Sequence, residues 1–224
     1  GGTLVDVFNV TMASSFNLNG GADADIFNFT AGALTGAVDG EAGDDAFNLS
    51  GGTVTGAVAG GANTDTLTGG NDYDVTGGNL GTVTGITAGW NTIENLTGTA
   101  GVDTFTFSGG GSLSGTATGL DSADTFDFNG GTVANVDGDV GADVLDFAGA
   151  GAVTVTLTGV NNPNGFAGTE GTHITTGFAD VTTIIGNIGN DTLVGQNAAA
   201  VFNVTAANDT YISGGVTLIL QNLD

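Results

Sequence analysis

The chain has 224 residues, 43 of them Gly, with one Pro, one His and no Cys, and it carries 24 acidic side chains against no Lys or Arg. Scarce helix formers and abundant turn formers predict an all-β chain, while the absent cysteines exclude disulfides and thiolate zinc sites. Without Lys or Arg there is nothing to neutralise phosphate, so no nucleic acid and no anionic membrane surface is expected as a partner.

A body carrying a formal charge of −24 repels itself and needs counterions or bound cations for screening. Mean hydropathy is nevertheless +0.23 and 40% of residues are apolar, which predicts a folded chain. No apolar run approaches the roughly 18 residues of a membrane helix, so no membrane insertion is expected. Gly1-Gly2-Thr3 begins no signal peptide, and any export signal is expected outside these residues.

Taken in chain order, the sequence repeats one window, with Gly first, Asp sixth and Phe or Leu eighth. It occurs as GGADADIF (20–27), GEAGDDAF (40–47), GGANTDTL (60–67), GTAGVDTF (98–105), GLDSADTF (119–126), GDVGADVL (138–145) and GNIGNDTL (186–193). Neighbouring windows are mostly 19 to 21 residues apart, with intervals of 38 and 48 where a window has degenerated. After each Asp the chain alternates apolar and polar, as in Phe27-Asn28-Phe29, Phe47-Asn48-Leu49, Phe105-Thr106-Phe107 and Phe126-Asp127-Phe128, which is a strand with one buried face. A Gly-rich turn and a second alternating stretch, such as Thr53 to Val58, complete a unit of about 20 residues.

No such strand buries its apolar face alone. Stacked units form parallel sheets, and the expectation is a parallel β-helix, or β-solenoid, running through residues 1–224 as one continuous segment. Phe then lies over Phe or Leu inside, and Asp over Asp at the turn. Residues 159–176, with the Pro and the His, break the period and are expected to bulge as a loop. Reading the last residues into the first gives NLDGGTLVDVF, which aligns with NLTGTAGVDTF (95–105), so copies of the chain are expected to continue end to end.

The Asp column is the leading candidate for chemistry. Calcium takes six to eight oxygen ligands, and carboxylates beside bare Gly carbonyls, repeated at the strand spacing, supply them. The candidate Ca²⁺ ligands are Asp23, Asp25, Asp44, Asp45, Asp65, Asp103, Asp121, Asp124, Asp139, Asp143 and Asp191. The competing reading makes each Asp a local turn cap facing water.

Asn9, Asn28, Asn48, Asn95, Asn190, Asn203 and Asn208 form N-x-S/T sequons, for which stacked amides are the simpler use. Outward Thr rows (Thr53/Thr55, Thr104/Thr106, Thr154/Thr156) either bind a surface glycan or ice or reflect β propensity on a solvated face. Trp90, Tyr73 and Tyr211 are read as buried or edge-covering rather than sugar-stacking, and His173 has only Glu170 near it in sequence. With no convergent titratable groups and no basic residue, an enzyme is not expected.

The stretch TDTLTGGNDYDVTGGNLGTVTGITAGWNTIENLTGTAGVDTFTF (64–107), echoed by NIGNDTLVG (187–195) and VTLILQNLD (216–224), resembles giant bacterial surface proteins of β-strand repeats, akin to filamentous haemagglutinin-like and hemolysin-type (RTX) calcium-binding adhesins. The resemblance implies an extracellular, cell-surface location, a right-handed parallel β-helix or β-roll, and a role in adhesion or matrix building. The chain departs from the RTX nonapeptide: no window keeps all three glycines, and the period is about 20 rather than nine. Together these readings predict a structural or adhesive fibre segment, with a glycan- or ice-binding module as the alternative.

Overall fold

The computed structural model describes residues 2–203 and 209–222, and the described residues form strands, turns and no helix. Glycine-rich turns cut the first block into β1 (Val7–Val10), β2 (Leu18–Ala22), β3 (Ile26–Phe29), β4 (Ala33–Leu34), β5 (Val38–Ala42), β6 (Ala46–Leu49), β7 (Thr53–Val54), β8 (Val58–Ala62) and β9 (Thr66–Thr68). The chain alternates between two sheets. In the first, β1, β3, β6 and β9 pair in parallel; in the second, β2, β5 and β8 do, with β4 and β7 paired beside them. Equivalent residues of successive repeats are register partners, so Phe27 lies between Phe8 and Phe47 and Asn28 between Asn9 and Asn48.

This run is interrupted by an antiparallel meander of β10 (Asp72–Gly77), β11 (Leu80–Val83) and β12 (Ile86–Asn91), in which β12 returns in parallel onto β8. The parallel pattern resumes with β13 (Asn95–Thr97), β14 (Thr104–Ser108), β15 (Ser112–Thr118), β16 (Thr125–Asn129), β17 (Thr132–Asp137) and β18 (Val144–Asp146). A second meander follows, β19 (Thr154–Asn161), β20 (Gly165–Thr169) and β21 (Ile174–Val181), then β22 (Thr183–Ile185) and β23 (Thr192–Val194). A third ends the described chain with β24 (Ala200–Asn203), β25 (Asp209–Ser213) and β26 (Val216–Gln221). Gly214 and Gly215, both at positive φ, make the β25–β26 turn, the conformation that two-residue hairpins require.

Residues 159–176 are therefore not a bulging loop. Val160 pairs with Phe166, Gly168 pairs with Phe178, and Phe166 is fully buried. The cause is ordinary strand physics: the alternation of Thr154 to Asn161 gives a buried face that needs a partner, and the Asn162-Pro163-Asn164 turn folds β20 back to supply one. The long intervals of 38 and 48 residues between windows coincide with the first two meanders.

One core runs between the sheets. Its aromatic rings stack face to face at the strand spacing: Phe8 on Phe27 at 4.8 Å and Phe27 on Phe47 at 4.9 Å, then Tyr73 on Phe105 at 5.1 Å and Phe105 on Phe126 at 5.0 Å. A second stack places Phe128 between Phe107 at 5.0 Å and Phe147 at 4.9 Å.

The meanders also exchange the roles of the sheets. Before the first, strands led by a window Asp (β3, β6, β9) lie in the first sheet; after it they lie in the second (β14, β16, β18); after the second meander β23 is again in the first. The acids consequently do not run down one edge as expected, because each meander delays the chain by half a repeat.

A buried acid ladder as the candidate functional site

Asp25, Asp45, Asp65, Asp103, Asp124 and Asp143 are all at most 2% exposed. All but Asp103 point one carboxylate oxygen at the backbone of the repeat before them. Oδ1 accepts the N–H of the preceding acid: Asp6 to Asp25 at 2.7 Å, Asp25 to Asp45 at 2.6 Å, Asp45 to Asp65 at 2.8 Å, Asp103 to Asp124 at 2.8 Å and Asp124 to Asp143 at 2.9 Å. Where the first meander removes the next window, Glu94 takes its place, its longer side chain receiving the Asp65 N–H at 2.9 Å. Asp191, the last window acid, receives Val153 N–H at 2.8 Å. Most of these acids thus satisfy the neighbouring repeat, while Asp103 and Asp191 also accept from their own turns, and an acceptor is needed at one fixed position in each repeat.

The recurring five-residue spacing between the window Gly and its Asp has a steric cause. A Cβ on Gly20, Gly40, Gly60, Gly98, Gly119 or Gly138 would overlap Oδ2 of the Asp five residues on.

Two kinds of turn separate this Gly from its Asp. In the commoner kind the second and fourth window positions both have positive φ: Gly21 and Asp23, Glu41 and Gly43, Gly61 and Asn63, Leu120 and Ser122. At the last window of this kind the second residue, Asp139, does too. Oδ2 of Asp25, Asp45, Asp65, Asp124 and Asp143 then has no hydrogen-bond partner. In the other kind the second residue turns its N–H inward: Thr99 N–H donates to Asp103 Oδ2 at 2.7 Å, and Asn187 N–H to Asp191 Oδ2 at 3.0 Å. There the side chain of the second residue also closes the turn, Thr99 Oγ1 accepting Gly101 N–H at 3.0 Å and Asn187 Oδ1 accepting Gly189 N–H at 2.5 Å.

Burial shifts these groups. It pushes Asp65 and Asp143 up to about 7 and Asp124 up to about 6, against the lowering effect of the ladder N–H, and neighbouring acids add to the rise. Asp45 and Asp103 are raised for the same leading reason, and in Asp103 the backbone and hydroxyl of Thr99 oppose it.

The sequence-derived calcium set therefore divides in two. Five of its six buried acids commit Oδ1 to a peptide N–H of the preceding repeat and pack Oδ2 against a glycine, while Asp103 takes the peptide N–H and the hydroxyl of Thr99, so that these acids serve as structural acceptors. Asp23, Asp44 and Asp121 are exposed, and Asp139 and Asp191 half-buried. Asp44 accepts Thr64 N–H at 3.0 Å, and Asp23 and Asp139 shape turns at positive φ. Among the described residues no three His, Asp or Glu side chains converge as a metal-holding group.

The outward faces are read more simply. Asn28 Nδ2 donates to Asn9 Oδ1 at 2.9 Å and Asn48 Nδ2 to Asn28 Oδ1 at 2.8 Å, an amide ladder in which the sequons take part as neighbours' partners. Asn208 lies outside the described residues. The Thr rows are not uniform, since Thr106 lies between Asp74 and Asp127. Tyr73, Trp90 and Tyr211 are buried. His173 packs against Phe128 and Phe147, with Nδ1 3.6 Å from Glu170 Oε2, and that oxygen accepts the N–H groups of Thr172, His173 and Ile174. The pair closes the β20–β21 turn.

Sequence reasoning missed Glu94 as a ladder member. Glu94 sits in no Gly-to-Asp window, and only its place one repeat after Asp65 on the strand register marks it. No family model matches the sequence, and a search of curated proteins finds no relative.

Proposed function

We propose that the chain is a segment of an extracellular, cell-surface fibre, a right-handed parallel β-helix whose function is mechanical and adhesive rather than catalytic. The observation that supports this most is the repetition of three ladders at the same period: stacked rings inside, backbone-linked acids at the turns, and amides outside. All three resist separation of one repeat from the next along the rod, and none of them encloses a substrate. The resemblance to bacterial β-strand-repeat adhesins supports the surface location. Calcium enters as a cation held by the exposed turn acids Asp23, Asp44 and Asp121 with backbone carbonyls, relieving repulsion among 24 carboxylates.

Solution X-ray scattering tests the reading: an elongated profile of constant cross-section is expected, and a compact, near-spherical particle would remove it. Chelation with EDTA is expected to lower the melting temperature in the wild type and equally in Asp45→Asn, because the ladder acids are not the ligands. An unchanged melting temperature in the wild type takes calcium out of the account.

A further inference from the structure

The outer strand of the first meander is covered, and among the described residues no further strand covers that of the third. Strand β10 receives β14 in parallel, with Tyr73 stacked on Phe105 at 5.1 Å. Strand β24 occupies the corresponding outer place in its meander, is the end strand of the second sheet, and is exposed at all four residues, with Val201 55% and Phe202 50% accessible. At the other end of the molecule β1 closes the first sheet, and Val7 is 55% exposed beside an open cavity of about 410 Å³ lined by Val7, Phe8, Asn9, Val10, Met12 and Phe16 among others.

The two exposed strands share a sequence: Val201-Phe202-Asn203 of β24 repeats Val7-Phe8-Asn9 of β1. Their faces agree as well: Phe202 pairs with buried Tyr211 and so points inward like Phe8, while Asn203 pairs with Thr210 on the outside like Asn9. Asn203 Nδ2 is committed to Thr210 Oγ1 at 3.1 Å, leaving Oδ1 as acceptor. Asn9 Oδ1 is committed to Asn28 Nδ2 at 2.9 Å, leaving Nδ2 as donor. The peptide groups of Asp6 and Val10 face β3 through Ile26 N–H and Thr30 N–H, so those of Val7 and Asn9 face the open edge.

We propose that β24 of one copy adds in parallel to β1 of a second copy, with Phe202 on Phe8 and Asn203 Oδ1 accepting Asn9 Nδ2. The contact deepens the fibre reading and rests on it. It joins different surfaces of the two copies, so it does not close and propagates as a filament. It also makes the second sheet of one copy continuous with the first sheet of the next, the same exchange that each internal meander performs.

The chain has no cysteine, so one can be placed on each side of the contact. Asn9→Cys and Asn203→Cys lie on outward faces, and opposed residues on adjacent strands sit about 5 Å apart, within disulfide reach. Equimolar Asn9→Cys and Asn203→Cys chains are mixed under mild oxidation at about 1 M salt, where screening shortens to about 3 Å. A mixed disulfide dimer is expected in excess over both like-with-like dimers, and the double variant is expected to form a ladder of multiples of 21.7 kDa. Asn9→Pro removes the outward N–H and none of the backbone bonds to β3, losing there only the Asn28 amide link, and should return an associating wild type to a single-copy mass by light scattering. Like-with-like dimers predominating, or no mixed product, overturns the proposal. An elongated scattering profile accompanying that negative result would leave the fibre reading standing.

Discussion

The turns at Asp45 and Asp103 carry the same Gly-to-Asp window and solve its chemistry differently. At Asp45 the window bends through Glu41 and Gly43, both at positive φ, and Oδ2 is left without a partner. At Asp103 the backbone stays out of that region, and Thr99 supplies both a peptide and a hydroxyl donor to the carboxylate. The first turn places the strain in the backbone and the unmet need in the acid. The second meets the need locally, through the peptide N–H and the hydroxyl of Thr99.

The sharpest way to break this comparison is at the fourth window position. Gly43 has φ 143°, and a Cβ there would overlap the Asp23 carbonyl, whereas a Cβ on Gly101 meets nothing nearer than Thr99 Oγ1 at 3.4 Å. Gly43→Ala is expected to cost about 2–3 kcal/mol. Gly101→Ala should stay within about 0.5 kcal/mol of the wild type. Urea midpoints of the two variants decide it, and equal losses would mean that the turns do not differ.

The next largest effect is on pH. Asp65, pushed up to about 7 when folded, has an unfolded value near 3.9, so its stabilising contribution is present below that lower value and is lost as pH rises through 7. Asp143 behaves likewise. The melting temperature should therefore rise on acidification from pH 8 to pH 5, by roughly 5 °C or more. Asp65→Asn should flatten that rise more than Asp103→Asn does, because Thr99 already opposes the shift at Asp103. A melting temperature that falls over the same interval would contradict the burial argument. The smallest effect belongs to the solvent-facing ladder: Asn28→Ala removes two amide links and is expected to cost about 0.5–1 kcal/mol in thermal unfolding.

Much of this was legible before any coordinates. Alternation around Phe27, Phe47, Phe105 and Phe126, together with the repeat length, was enough to predict parallel strands with rings stacked on rings. The amide partners Asn9, Asn28 and Asn48 followed from the same register. The meanders were not legible, because antiparallel strands such as β10 to β12 use the same period-two alternation as their parallel neighbours and only pairing tells them apart. The acids were found at the right positions and given the wrong surroundings. An Asp among Gly and Asn reads as a solvated turn, and what buries Asp25 or Asp143 is the backbone of other repeats, invisible to any local window. Glu94 escaped for a related reason, since a longer acid can reach the ladder from outside the motif.

The half-repeat delay at the first meander leaves the two flanks of the molecule with different coats. Near one end, the strands led by the window Asp turn Asn9, Asn28 and Asn48 to solvent on the first flank, an uncharged stripe of amides. Further along, their counterparts have crossed over and turn Thr106, Asp127 and Asp146 to the opposite flank, where the stripe is acidic. A flat partner laid against the first flank near that end would meet neutral amides, and one laid against the opposite flank further along would meet acids, so recognition by this molecule depends on where along its length, and from which side, it is approached.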